Sequence, residues 1–91
     1  MTTKVAIRLV SWERENSGRD LAMMMAGDRV ATVKALGWAG YVWETVATKS
    51  HPEVPAYDSQ DMFPLFNTID EAKASALTFV AMSINNDGRL A

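Results

Sequence analysis

His51 is the single histidine of this chain, and Glu53 and Asp58 stand close to it in sequence. An imidazole beside a carboxylate is the simplest general-base pair: the carboxylate orients one ring nitrogen while the other takes the proton. A small enzyme or ligand-binding domain using His51 with one of these acids is therefore one reading. The surrounding loop carries no nucleophile pattern. No second histidine and no cysteine can complete a metal site with it. A solvated loop histidine is the plainer expectation, and no catalytic or metal-ligating residue is assigned.

Further acids, Asp61, Asp70 and Glu71, follow late in the chain. Asp58-Ser59-Gln60-Asp61 superficially resembles an oxygen-ligand calcium loop. It lacks that loop's central glycine and its closing bidentate glutamate, so calcium is not expected. Gly18, Gly27, Gly37 and Gly40 form neither GxGxxG nor a P-loop. Gly37-Trp38-Ala39-Gly40 lacks a following Lys-Ser/Thr helix start and reads as a turn. No cofactor is expected.

The aromatics say more. Three tryptophans, Trp12, Trp38 and Trp43, with Tyr41, are many for a 91-residue chain. Trp38 lies beside Gly37, and Tyr41 and Trp43 share one side of an alternating run. An open sheet face carrying them would be a partner-binding platform, because Trp and Tyr are enriched at binding hot spots; core packing is the bland alternative. Stacking of single-stranded bases would need interleaved Lys and Arg, which residues 41–48 lack. Met23, Met24 and Met25 form a run whose members cannot all face one layer. One of them, Met23 or Met24, should be exposed or used in an interface.

Composition bounds these readings. Apolar residues make up 48% of the chain, which calls for a folded core in a single domain spanning residues 1–91. With no cysteine, disulfide staples and thiolate chemistry are excluded. A net charge of −2, with both signs intermixed, is too acidic for a phosphate-binding face, so no direct nucleic-acid binding is expected. The first residues lack a signal peptide's apolar run, and no apolar stretch approaches the ~20 residues of a membrane span. The expectation is a cytoplasmic protein that does not engage membranes.

The elements that must position these residues read as follows. Lys4 to Trp12 alternates as a strand, and Glu13 to Gly18 is a loop. Asp20 to Leu36 has the composition of a helix, with Ala22, Met25, Ala26, Val30, Val33 and Leu36 at helical spacing. Gly27-Asp28 interrupts it. The helix is the favoured reading; the competing one is a hairpin, Leu21 to Met25 and Val30 to Lys34 about a turn at Ala26 to Arg29, and the sequence does not decide residues 21–34 between the two. Gly40 to Lys49 is a strand, Ser50 to Gln60 a proline-bearing loop, and Met62 to Phe66 a short edge or bulged strand because Pro64 cannot donate to a ladder. Thr68 and Glu71 form a capping box that opens a helix from Ile69 to about Asn85, with the Glu71 carboxylate reaching back to the Thr68 N–H. Its buried stripe is Ile69, Ala72, Ala76, Leu77, Val80 and Ile84, widened by Phe79. The order is β-α-β-β-α: an α+β, two-layer domain of about three antiparallel strands with two helices on one face. An open edge is expected at the first strand or at Met62 to Phe66.

The segment Phe66-Asn67-Thr68-Ile69-Asp70-Glu71-Ala72-Lys73-Ala74-Ser75-Ala76 resembles, in style, segments of small phage and mobile-element accessory proteins of the anti-CRISPR inhibitor type. That group shares no fold or signature, so no functional residue carries over. The resemblance implies a non-enzymatic protein that sterically blocks a host protein complex in the host cytoplasm. The residues themselves point to a protein-binding module whose contact is made by Trp38, Tyr41, Trp43, Glu53, Asp58 and Asp61. A homodimeric structural module, joined by an edge strand or the methionine run, is the third reading.

Overall fold

Leu21, Met23 and Met25 belong to one core cluster, while Ala22 and Met24 between them do not join it. This period of two is a strand's, not a helix's. In the computed structural model, which describes residues 10–15 and 18–86, β1 (Ser11–Glu15), β2 (Asp20–Met25), β3 (Asp28–Ala35), β4 (Tyr41–Thr45) and β5 (Tyr57–Asp58) form one antiparallel sheet. The strands lie side by side in chain order. A short 3-10 turn, Ser59–Asp61, follows β5, and the helix α1 (Ile69–Asn86) covers one face of the sheet.

The expected three strands and two helices are therefore corrected to five strands and a single C-terminal helix among the described residues. Residues 20–35 are the hairpin, not the helix. Ala26 and Gly27 connect its strands with φ of 53° and 83°. Two consecutive positive-φ residues match the twist of flanking strands, which makes this turn type self-selecting. Pairing on both sides, with β1 and β3, outweighs the helix preference of Leu, Ala and Met. A bulge explains why the pattern looked helical. Met23 pairs with Ala31 but Met24 with Arg29, so Val30 is an extra residue. Val30 and Val33 then enter the same core at a spacing of three.

Two other boundaries move. Glu13 to Glu15, expected as loop, belong to β1, which pairs from Ser11 opposite Met24 to Glu15 opposite Asp20. An exposed strand accepts such charges and is protected by them. Lys4 to Leu9 of the expected first strand lie outside the described residues. Met62 to Phe66 is not a strand. Only a bridge joins Tyr41 and Phe66, closed by N–H···O bonds of 2.9 Å in both directions, and Pro64, two residues before it, cannot donate to extend a ladder.

The helix holds as expected. The Glu71 N–H donates to Thr68 Oγ1 at 3.1 Å. The Glu71 carboxylate accepts from the N–H of Asn67 at 3.1 Å, one residue earlier than the ordinary box would place it. Ala72, Ala76 and Val80 face the sheet and are buried, flanked by half-buried Ile69, Leu77, Phe79 and Ile84. The two alanines let the helix approach Met23, Val33 and Trp43 closely, and Val54 enters the same core from the long loop. At the β1 side, Lys73 Nζ sits 5.1 Å from the centroid of the half-buried Trp12 ring. The ion pair Lys34–Glu44 links the neighbouring strands β3 and β4, and Arg29 of β3 pairs with Glu15 of β1, two strands away. The hydrogen bond to Glu44 holds the Lys34 ammonium above the usual lysine range.

Candidate functional site

The aromatic half of the core is organised around Trp43. Its indole is fully buried, and a buried N–H needs a partner. Nε1 finds it in Ser75 Oγ of α1, at 2.9 Å. The Trp43 backbone N–H donates to Ser59 Oγ at 3.0 Å, which fixes the buried start of the 3-10 turn against β4. Phe79 lies 5.1 Å from the indole centroid, Tyr57 5.8 Å and Phe63 6.3 Å. Tyr57 and Phe79 stack on each other at 5.0 Å.

This cluster is the floor of an open groove of about 490 Å³ between α1 and the chain segment that follows β5. Trp43, Tyr57 and Phe79 form the base, Phe63 one wall, and Met62 and Met82 the rim. Met62 is 68% exposed and Met82 56%. Two hydroxyls along it are engaged with the protein: Ser75 accepts from Trp43, and Thr78 Oγ1 donates to the Ala74 carbonyl at 2.9 Å. Tyr57 is the one titratable residue of the lining. The volume falls within the range of small-molecule and side-chain pockets. Its chemistry is that of apolar contact, with methionines able to reshape to what they touch.

The expected contact residues are scattered. Trp38 is 98% exposed at the β3–β4 turn, whose backbone is closed by Leu36 N–H to the Gly40 carbonyl at 2.8 Å and Ala39 N–H to the Leu36 carbonyl at 3.0 Å. Trp43 is a correction: it belongs to the core, on the face under the helix, and offers no surface for a platform. Tyr41 points to the same face and is half-buried against that core. The Trp38–Tyr41–Trp43 platform is thus not assembled, because the aromatic side of β4 is the side α1 covers. Of the methionine run, Met23 and Met25 are buried and Met24 is half-buried.

Among the acids, Glu53 meets His51. Glu53 Oε2 lies 3.3 Å from His51 Nδ1, and both side chains are mostly buried. The backbone N–H of His51 donates to Thr48 Oγ1 at 3.0 Å, and that of Ser50 to Asp28 Oδ2 at 3.2 Å. Hydrogen bonds from Ser50 hold the Asp28 carboxyl below the usual range. Asp58 does not join His51; it caps the 3-10 turn by accepting from Gln60 N–H at 2.9 Å. Asp61 is exposed in that turn. Among the described residues, no group of three or more His, Asp or Glu is placed to hold a metal ion. No helix among them is long and apolar enough to cross a membrane.

The groove was missed, though a signal for it was present. Ser75, Thr78, Phe79 and Met82 repeat at i, i+3, i+4 and i+7, a second stripe turned one position from the buried one. Met62 to Phe66 is an apolar run in a segment that forms no strand. The chain matches no protein-family model, no curated protein and no solved structure.

Proposed function

We propose that this protein is a non-enzymatic binding module and that its working surface is the groove floored by Tyr57 and Phe79, which rest on the buried Trp43, occupied by apolar side chains of a partner protein. One observation carries the reading: Met62 and Met82 stand exposed at the rim of a groove built almost wholly from aromatic and apolar side chains. Folding alone is not served by leaving such residues in water. A rigid aromatic floor under flexible methionine sides is the anatomy of a contact in which a few buried anchors supply most of the affinity. The steric inhibitor suggested by residues 66–76 is the special case in which that partner is a host complex in the cytoplasm.

Thr78 is exposed on α1 and lines the groove, so Thr78→Arg obstructs it without touching the core. In affinity capture from the source cells, wild-type protein is expected to retain a partner that Thr78→Arg loses, with circular dichroism showing both folded. His51→Ala should retain it. Identical retention by wild type and Thr78→Arg overturns the reading.

A further inference from the structure

The molecule also carries a projection shaped for such a groove. Trp38 is 98% exposed, and the half-open Leu36 stands beside it on the same turn. The turn is stiff. Besides its two internal hydrogen bonds, it is clamped at Gly40, where even a Cβ would lie 2.8 Å from the Phe66 carbonyl oxygen and 3.1 Å from Leu65 Cβ. The backbone that carries the ring is therefore set in advance, which lowers the cost of ordering this segment on binding. It does not occupy its own groove: the ring is 98% exposed and is not among the groove's lining residues.

From these features we propose that Trp38 of one copy seats in the groove of a second copy, reciprocally, in a weak homodimer. This rests on the groove identified above and adds its resting occupant. An aromatic side chain of this kind buries ~150–250 Å². Counting the groove surface it covers, and both halves of the exchange, gives about 600–1,000 Å². The exposed side chains Met62, Leu65 and Met82 bring the contact to the ~1,200 Å² at which specific interfaces begin. An association at that threshold is concentration-dependent. Reciprocal insertion closes after two copies, whereas one-way insertion would continue into a chain. In the dimer the groove is filled, so a partner must displace the second copy's Trp38.

Sedimentation velocity from micromolar to millimolar protein tests this. Wild type is expected to pass from monomer to dimer. Trp38→Ala and Thr78→Arg, each alone, should associate at least tenfold more weakly, at an unchanged circular dichroism spectrum. An equimolar mixture of the two should regain dimer, because that pair keeps one intact tryptophan and one intact groove. Wild type that stays monomeric, Trp38→Ala that dimerises as wild type does, or a mixture no better than its components overturns the proposal. Failure here leaves the binding reading standing if Thr78→Arg still loses the captured partner. A dimer with unchanged capture removes the binding reading instead.

Discussion

Trp43 and Trp38 belong to the same β3–β4 hairpin, yet Trp43 is wholly buried and Trp38 is 98% exposed. Trp43 lies in a strand whose aromatic side meets α1, and everything it needs is supplied there: ring neighbours and a hydroxyl for its N–H. Trp38 lies in the turn beyond the helix-covered surface. The same residue type stabilises the fold in one place and leaves surface for association in the other. What separates them is position relative to the second layer.

The largest effect should come from breaking the buried member. Trp43→Ala removes the floor of the groove and the contacts with Phe79, Tyr57 and Phe63, and it strips Ser75 of its donor. Core truncations of this size cost about 3–5 kcal/mol, against a total of about 5–15 for an ordinary domain. Urea denaturation followed by circular dichroism should show a much lowered midpoint or no folded baseline. A loss below 1 kcal/mol would mean that Trp43 is not the centre of this core.

Gly40 joins the two regions, and its substitution comes next. Its φ is 143°, a conformation L side chains rarely adopt, and a Cβ there meets backbone, the Phe66 oxygen at 2.8 Å. Gly40→Ala is expected to cost ~1–3 kcal/mol through backbone strain, with the Tyr41–Phe66 bridge loosened. Gly37→Asn, at φ 59° with open space around it, should be nearly neutral, since Asn tolerates this region. Equal losses at the two glycines, read from denaturation midpoints, would show that the clamp against Phe66 is immaterial.

How far these positions were readable differs along the chain. The capping box and stripe of α1 were readable because helix signals are local: Thr68, Glu71 and the apolar spacing sit within a few residues of one another. The β2–β3 hairpin was readable only as an alternative. Its strands use helix-forming Leu, Ala and Met, and the bulge at Val30 imitates helical spacing. Strand status there is decided by partners distant in sequence, which no local pattern contains. The groove was harder still. It needs α1, β5 and residues 62–63 together, and that meeting is a property of the sheet order. Trp43 could not be sorted from Trp38 until the number of helices was known.

At the far end of β3 the chain is tied by charge rather than by apolar contact, which gives a smaller and pH-dependent effect. Ser50 donates to Asp28 and holds its carboxyl below the usual range. A carboxyl whose folded pKa is depressed contributes stability above its unfolded pKa, and loses it as the pH falls through the folded value. Asp28→Asn should therefore lower the thermal midpoint slightly at neutral pH. The difference from wild type should vanish as the pH falls below the ordinary carboxylate range. A difference that persists in acid would assign the effect to turn geometry instead of charge. Because the carboxylate is on the surface, added salt should also shrink it.

The smallest expected change in stability is the one that sharpens the contrast most. Trp38→Ala, measured at concentrations where the chain is monomeric, removes a side chain that is 98% exposed. A surface change of this kind stays within about ±0.5 kcal/mol. It deletes the same indole as Trp43→Ala, from the same hairpin, so the two denaturation curves differ only by what surrounds each ring. If Trp38→Ala instead costs several kcal/mol in the monomer, the ring is packed within its own molecule, and the surface assigned to association does not exist. If the cost appears only as protein concentration rises, it belongs to the contact between copies. Association stabilises the folded chain by mass action, with no part in the isolated fold.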